Sequence, residues 1–294
     1  MPELPEVETV RRGLESVLVN ASFERVEQRR ANLRFPFPDR FAERLTGQRI
    51  TALGRRAKYL LVSLESGEVL IMHLGMSGRF IINRAGTNAR AAGEFLHGGK
   101  DVGRHDHVVF AMNNGATITY NDARRFGFMT LVDGNRLEAH KFMKNLGVEP
   151  LGEDLSPAYL ASRCAGKKTS LKAALLDQRI VAGLGNIYVC EALYRAGLSP
   201  RRAASTLAVA SGKPARRAAR LVPEIKSVLE DAIAAGGSTL KDYHAPEGDP
   251  GYFQHSFAVY GREGLECARP GCEGVVRRIV QAGRSTFYCP RCQR

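Results

Sequence analysis

Apolar residues first recur along the chain at helical spacing. Val7, Val10, Leu14, Val17 and Leu18 fall on one face, which predicts an amphipathic helix over residues 4–19. From about residue 23 to 132 the texture changes to short β-like runs: ITALGRRAKYLLVSL, EVLIMHLGMSGRFII, HVVFAM, ATITYN and FMTLV. Turn residues separate them at Gly67, at Asn113, Asn114 and Gly115, and at Asp133 and Gly134. The pattern predicts an antiparallel sandwich capped by the first helix. Residues 84–103 are Gly/Ala-rich without periodicity, and are expected to form a mobile surface loop. A linker is expected around Gly147 to Pro157. Beyond it, segments near 156–164, 169–178, 186–196 and 214–235 carry apolar residues at helical spacing. The last begins with Pro214 near its first turn and stops at Gly236 and Gly237, as a capped helix should. No internal repeat is visible.

Length and charge then narrow the class. A chain of 294 residues is long for one domain. Forty-three Lys and Arg against thirty Asp and Glu leave a net charge of +13, the footprint of a polyanion binder, although charge alone equally fits a basic protein without such a partner. No apolar run approaches the roughly 18 residues of a membrane span. The opening MPELPEVETV is acidic where a signal peptide is basic and then apolar, so a cytoplasmic location is expected. There, six cysteines are not expected to pair as disulfides.

Four of those cysteines carry the strongest purely chemical signal. Cys267, Cys272, Cys289 and Cys292 form two close pairs 17 positions apart, flanking a β-rich stretch with Gly283 near its bend. Two pairs of thiolates on hairpin tips supply the four soft ligands of tetrahedral zinc. Four protein ligands leave no open position for water, so one structural Zn2+ is expected, doing no chemistry. Cys164 and Cys190 fall on predicted helices and read as buried bystanders.

A set of motifs in fixed order makes the reading specific. PELPEVETVRRGL at the start, RRAKYLL at 55–61, MHLGMSGRF at 72–80, NDARRFG at 121–127, GLGNIYVCEALY at 183–194, GGSTLKDY at 236–243 and the terminal GRSTFYCPRCQ closely resemble the bacterial formamidopyrimidine-DNA glycosylases. The resemblance spans nearly the whole chain. It implies an α+β multidomain fold: an N-terminal β-sandwich with flanking helices, a helix–two-turns–helix domain and a C-terminal zinc-finger β-hairpin. The corresponding boundaries are 1–133 for the catalytic sandwich, 134–155 for the linker, 156–240 for the helical domain, 241–263 for a lesion-capping loop and connector, and 264–294 for the finger.

The family's activity is base-excision repair. It removes oxidised purines such as 8-oxoguanine and formamidopyrimidines from double-stranded DNA, then cleaves the abasic site by β,δ-elimination. The sister endonuclease VIII-like enzymes prefer oxidised pyrimidines and usually open with PEGPE; Leu4 and the Arg-Arg-Phe loop here favour the purine enzyme. The partner expected is lesion-containing duplex DNA, with no membrane, and the protein is expected to act as a monomer.

Alone, Pro2 and Glu3 read as ordinary first-turn residues of a helix. The resemblance gives them chemistry. Once Met1 is removed, the secondary amine of Pro2 can attack the sugar C1′ and form an iminium, a Schiff base. Glu3 is implied as the acid protonating the sugar ring oxygen, a role that needs a carboxyl holding its proton near neutral pH. Lys58 alternates with apolar neighbours, which predicts a strand and, by itself, a solvated surface lysine. The resemblance instead places it at the active site, assisting β-elimination. It likewise places Arg284 on the phosphate beside the lesion.

The lesion must leave the duplex, at a cost of a few kcal/mol. Met76, Arg124 and Phe126 match the family's wedge that fills the vacancy, with Arg124 facing the orphaned cytosine. Arg125, His105, Lys167, Lys172 and Asn186 fall at positions resembling its DNA contacts, and Ser238 and Tyr243 on the lid over the flipped base. Two departures stand out: residues 84–103 exceed the family norm, and Ala123 replaces a common proline.

Overall fold

The computed structural model describes residues 2–84, 103–238 and 252–294. The expected mobile loop therefore lies almost wholly outside the described residues, as does Tyr243. The chain divides into two compact units, Met1–Lys144 with Ala235–Tyr252, and Asn145–Ala234 with Phe253–Arg294.

In the first unit, α1 (Leu4–Leu18) buries the predicted face. Strand β1 (Phe23–Gln28) leads to a five-residue helix, α2 (Phe41–Leu45), too short to leave a periodic signal. Seven strands follow: β2 (Ile50–Arg56), β3 (Tyr59–Leu64), β4 (Glu68–His73), β5 (Arg79–Arg84), β6 (Asp106–Met112), β7 (Ala116–Asn121) and β8 (Phe128–Asp133). They form two four-stranded antiparallel sheets, ordered β2-β3-β4-β8 and β1-β6-β7-β5. Phe23, Leu60, Leu70, Phe80, Val108, Ile118 and Met129, drawn from both sheets, share one core with the apolar face of α1.

Two apolar runs that read as continuous are broken. ITALGRRAKYLLVSL folds back at Ala57 and Lys58, pairing Arg56 with Tyr59. EVLIMHLGMSGRFII supplies β4 to one sheet and β5 to the other, so residues 74–78 carry the chain between layers.

In the second unit, α3 (Pro157–Cys164) and α4 (Leu171–Leu176) are each capped by a serine hydroxyl, Ser156 and Ser170. Helix α5 (Asn186–Arg195) is buried almost throughout. Helix α6 (Arg216–Ala234) runs on through Pro223, whose missing N–H does not mark a boundary. Strands β9 (Arg277–Gln281) and β10 (Arg284–Tyr288) form the expected hairpin, turning through Ala282 and Gly283, both with positive φ. No helix among the described residues is long and apolar enough to cross a membrane.

Candidate active site and metal centre

The N-terminus is built around a helix start. Glu3, not Pro2, is the N-cap of α1, and Pro5 rather than Pro2 takes the first-turn position. Pro2 precedes the cap and is buried, as are Glu3 and Glu6. Glu6 accepts a hydrogen bond from the Glu3 N–H at 2.8 Å, closing a capping box. Its other oxygen accepts from the backbone N–H and the hydroxyl of Ser238, at 2.9 and 3.0 Å. One buried carboxylate thus joins the Pro2–Glu3 end to the first residue of the expected lid.

Lys58 corrects its sequence reading on both counts. It lies in the tight turn between β2 and β3 rather than on a strand, and it is only 8% exposed rather than solvated. Ala57 beside it holds φ 52°, a left-handed conformation that favours glycine. The Arg55 guanidinium fixes this turn, donating to the Ala57 carbonyl at 2.8 Å and to Glu8 of α1 at 3.1 Å. Burial alone would raise the Glu8 carboxyl, but Arg11, Arg12 and Arg55 hold it below its ordinary range.

His73, not singled out from sequence, completes this corner. Its ring stacks on Phe128, lies 5.1 Å from Tyr59, and accepts a hydrogen bond at Nδ1 from the Gly75 N–H. Burial, with the positive charges of Lys58 and Arg34, pushes it down to about 4, so it is neutral at physiological pH. Its only signal in the chain is an isolated histidine ending a strand two positions before a glycine.

The residues expected to form the wedge lie in two loops of this unit. Arg124, Arg125 and Phe126 are exposed, Phe126 at 44%, while Met76 is half-buried. The Arg124 guanidinium lies 5.0 Å from the Phe126 ring centre. His105 is half-buried at the entry to β6.

The second unit holds the remaining expected residues. Lys167 and Arg284 are exposed. Lys172 is not: it is fully buried, its ammonium donating to the Ser285 carbonyl at 3.0 Å and the Thr286 hydroxyl at 2.6 Å. The Asn186 side-chain amide reaches the same Ser285 carbonyl at 3.0 Å. Lys172 thus braces α4 against the strand that begins with Arg284, where a surface cation was expected. Burying an ammonium is costly unless it is hydrogen-bonded, and the hairpin supplies two acceptors.

The cysteines converge as expected. The four Sγ atoms lie within 4.8 Å of one another, with Cys267–Cys292 and Cys272–Cys289 each at 3.7 Å. Tetrahedral zinc with Zn–S bonds of about 2.3 Å places its sulfurs about 3.8 Å apart, so the set fits. A Cβ on Gly274 would lie 2.6 Å from the Cys289 sulfur, so only glycine lets the thiolates close. The Tyr194 hydroxyl lies 3.6 Å from the Cys267 sulfur, and Gln293 accepts from the Cys289 N–H at 2.8 Å. These outer contacts orient the ligands.

Comparison with known proteins decides the family. Three family models match in order: the formamidopyrimidine-DNA glycosylase N-terminal domain over residues 1–129, its H2TH domain over 146–244, and the zinc finger found in FPG and IleRS over 264–294. The chain belongs to the formamidopyrimidine-DNA glycosylase family. Family members from Beijerinckia indica and Azorhizobium caulinodans are each 61% identical over 294 residues, covering all of both chains. A crystal structure of the Thermus thermophilus Fpg protein matches at 39% identity with a TM-score of 0.80, covering 99% of this chain and 98% of that one. The Lactococcus lactis Fpg in complex with abasic-site DNA matches at 32% identity with a TM-score of 0.82, covering both chains completely. As in the family, the four cysteines here are the ligands of one structural zinc, which holds the hairpin.

Proposed function

We propose that this DNA glycosylase excises oxidised purines, 8-oxoguanine and formamidopyrimidines, from duplex DNA and then cleaves the abasic site by β,δ-elimination. The observation that carries this reading is the buried Pro2–Glu3 pair, held at the start of α1 by the Glu6 carboxylate. Removal of Met1 frees a secondary amine there. Its lone pair bonds to the sugar C1′ as the base departs with the electrons of the glycosidic bond. Glu3 protonates the ring oxygen, the ring opens, and loss of the amine proton leaves the iminium. The iminium acidifies the neighbouring C2′–H; that proton is lost to water as the 3′ phosphate departs, and the Lys58 ammonium assists by offsetting the negative charge that develops on the leaving oxygen. Arg284 steadies the second phosphate to be expelled.

In this reading residues 1–133 carry the chemistry, 156–240 and the 264–294 finger carry the DNA backbone, and 241–263 cap the lesion. Lys167, Arg125, His105 and Asn186 position phosphates, and Met76, Arg124 and Phe126 fill the space the flipped base leaves. The protein acts as a monomer on one duplex.

The test is a cleavage panel: duplexes carrying 8-oxoguanine opposite C, 8-oxoguanine opposite A, a formamidopyrimidine, or an oxidised pyrimidine. A Lactococcus lactis Fpg has been crystallised with oxidised-pyrimidine DNA, so that arm is a real competitor. Fastest excision of the purine lesions opposite C supports the reading; faster excision of the pyrimidine overturns the purine assignment.

A further inference from the structure

The wedge side chains come from two loops about 50 positions apart in sequence, and nothing in either loop is a strand or helix that would hold it. Met76 lies in the connection from β4 to β5, and Arg124 and Phe126 in the connection from β7 to β8. What joins the loops is a small buried polar cluster. Asp122 is completely buried, and its carboxylate takes only neutral donors: the Ser77 hydroxyl at 2.6 Å, the Gly127 N–H at 2.9 Å and the Tyr120 hydroxyl at 3.3 Å. The Ser77 oxygen in turn accepts the Arg124 N–H at 3.1 Å. Ser77 therefore sits one residue from Met76 and bonds the start of the other loop at Asp122 and Arg124, while the Asp122 carboxylate holds that loop's far end at Gly127.

Backbone packing tightens the same joint. Gly75 has φ +64°, and a Cβ there would run into the Gly127 nitrogen and the Phe126 carbonyl. A Cβ on Gly127 would meet the Tyr120 hydroxyl and lie 2.7 Å from the His73 carbonyl. The far side is fixed to the sheet: His107 Nε2–H donates to the Asp122 carbonyl at 2.8 Å, and the Asp122 N–H donates to the His105 carbonyl at 3.0 Å. Burying a carboxylate against neutral groups is costly, so its retention at this joint calls for a reason beyond the core.

We infer that Ser77 and Asp122 are positioning residues that lock the two loops into one rigid blade, so that Met76, Arg124 and Phe126 enter the duplex together. The inference rests on the wedge assignment made above. A stiff blade matters because unstacking a base step already costs a few kcal/mol, and loops ordered only on insertion would add their conformational entropy to that barrier. The clamp also ties Arg124, which faces the orphaned cytosine, to the same frame as the filling side chains. Opposite-base preference and base extrusion are thereby set by one hydroxyl.

The test compares Ser77→Ala, Ser77→Thr and Phe126→Ala in the full-length, zinc-loaded protein. Two substrates are used under single-turnover conditions: a duplex with 8-oxoguanine opposite C or A, and a duplex with a preformed abasic site opposite C. Ser77→Ala should slow base excision by about 10- to 100-fold, the range expected for misplaced groups, and narrow the preference for C over A. It should leave abasic-site cleavage within about twofold, because no stacked base must be extruded. Ser77→Thr keeps the hydroxyl and should restore both rate and preference. Equal slowing on both substrates would mean a merely structural role and overturn the inference. Slowing by Phe126→Ala but not by Ser77→Ala would overturn the clamp and leave the wedge standing; no slowing by Phe126→Ala would remove the wedge itself. Should Ser77→Ala not fold, Asp122→Asn, which keeps the volume and one acceptor, reads the same contrast.

Discussion

Glu6 Oε1 accepts both the backbone N–H and the hydroxyl of Ser238, while Oε2 accepts the N–H of Glu3. Both oxygens thus face donors. In Glu6→Gln an amide NH2 would confront one of those donors, so a hydrogen bond becomes a repulsion. The expected loss is about 1–3 kcal/mol of stability, read by urea unfolding. Under the proposed role of Ser238 at the start of the lid, base excision should fall more than cleavage of a preformed abasic site. Equal stability in Glu6→Gln would mean the link is not maintained in solution.

Metal content is the next check. One zinc per chain is expected, and Cys289→Ala should lose it. Only the β9–β10 hairpin and its surroundings depend on the metal, so the signals of the β-sandwich should survive while DNA binding is lost. Zinc-free protein with undiminished DNA affinity would remove the finger from the binding account.

Two lysines that look alike in sequence should separate in a salt titration. Lys167→Ala and Arg284→Ala should each weaken binding to all duplexes and shallow the salt dependence, by about one unit of slope for each phosphate no longer neutralised. Lys172→Met should leave the slope unchanged while lowering thermal stability, because its ammonium is committed to Ser285 and Thr286. A reduced slope in Lys172→Met would return that ammonium to the DNA backbone.

His73 predicts an acid limb. Its folded value, about 4, lies below the ordinary 6.5, so the unfolded chain binds a proton that the folded chain refuses between those values. Stability from this group is complete above pH 6.5 and is lost as pH falls toward 4. His107, lowered chiefly by burial, acts in the same direction. His73→Gln should therefore flatten the fall in melting temperature over that window. An unchanged pH profile would mean that His73 titrates alike in both states.

Much of this was legible in the chain. The apolar face of α1 and the limits of α3, α5 and α6 follow from local periodicity, and the four cysteines follow from spacing alone. What stayed hidden depends on partners distant in sequence. Lys172 looks like a surface cation because its partners lie 113 and 114 residues away. Lys58 looks like a strand residue because the break beside it comes from Ala57 in a conformation its side chain does not advertise. The split of β4 from β5 rests on Gly75 packing against Gly127, which no local pattern reports. Ser77 and Asp122 carry no signal beyond belonging to two motifs, since a buried Ser–Asp pair reads as two ordinary loop residues.

The proposed role of the Pro2 amine as nucleophile is tested most directly by trapping. Borohydride added during turnover on an 8-oxoguanine duplex should reduce the iminium to a stable protein–DNA crosslink. Peptide mapping should place that crosslink on the N-terminal residue of a chain lacking Met1. A tag ahead of Pro2 would convert the amine to an amide and should abolish both trapping and cleavage while the fold stays intact. A crosslink mapped to Lys58 or to another lysine, with Pro2 unmodified, would contradict the account.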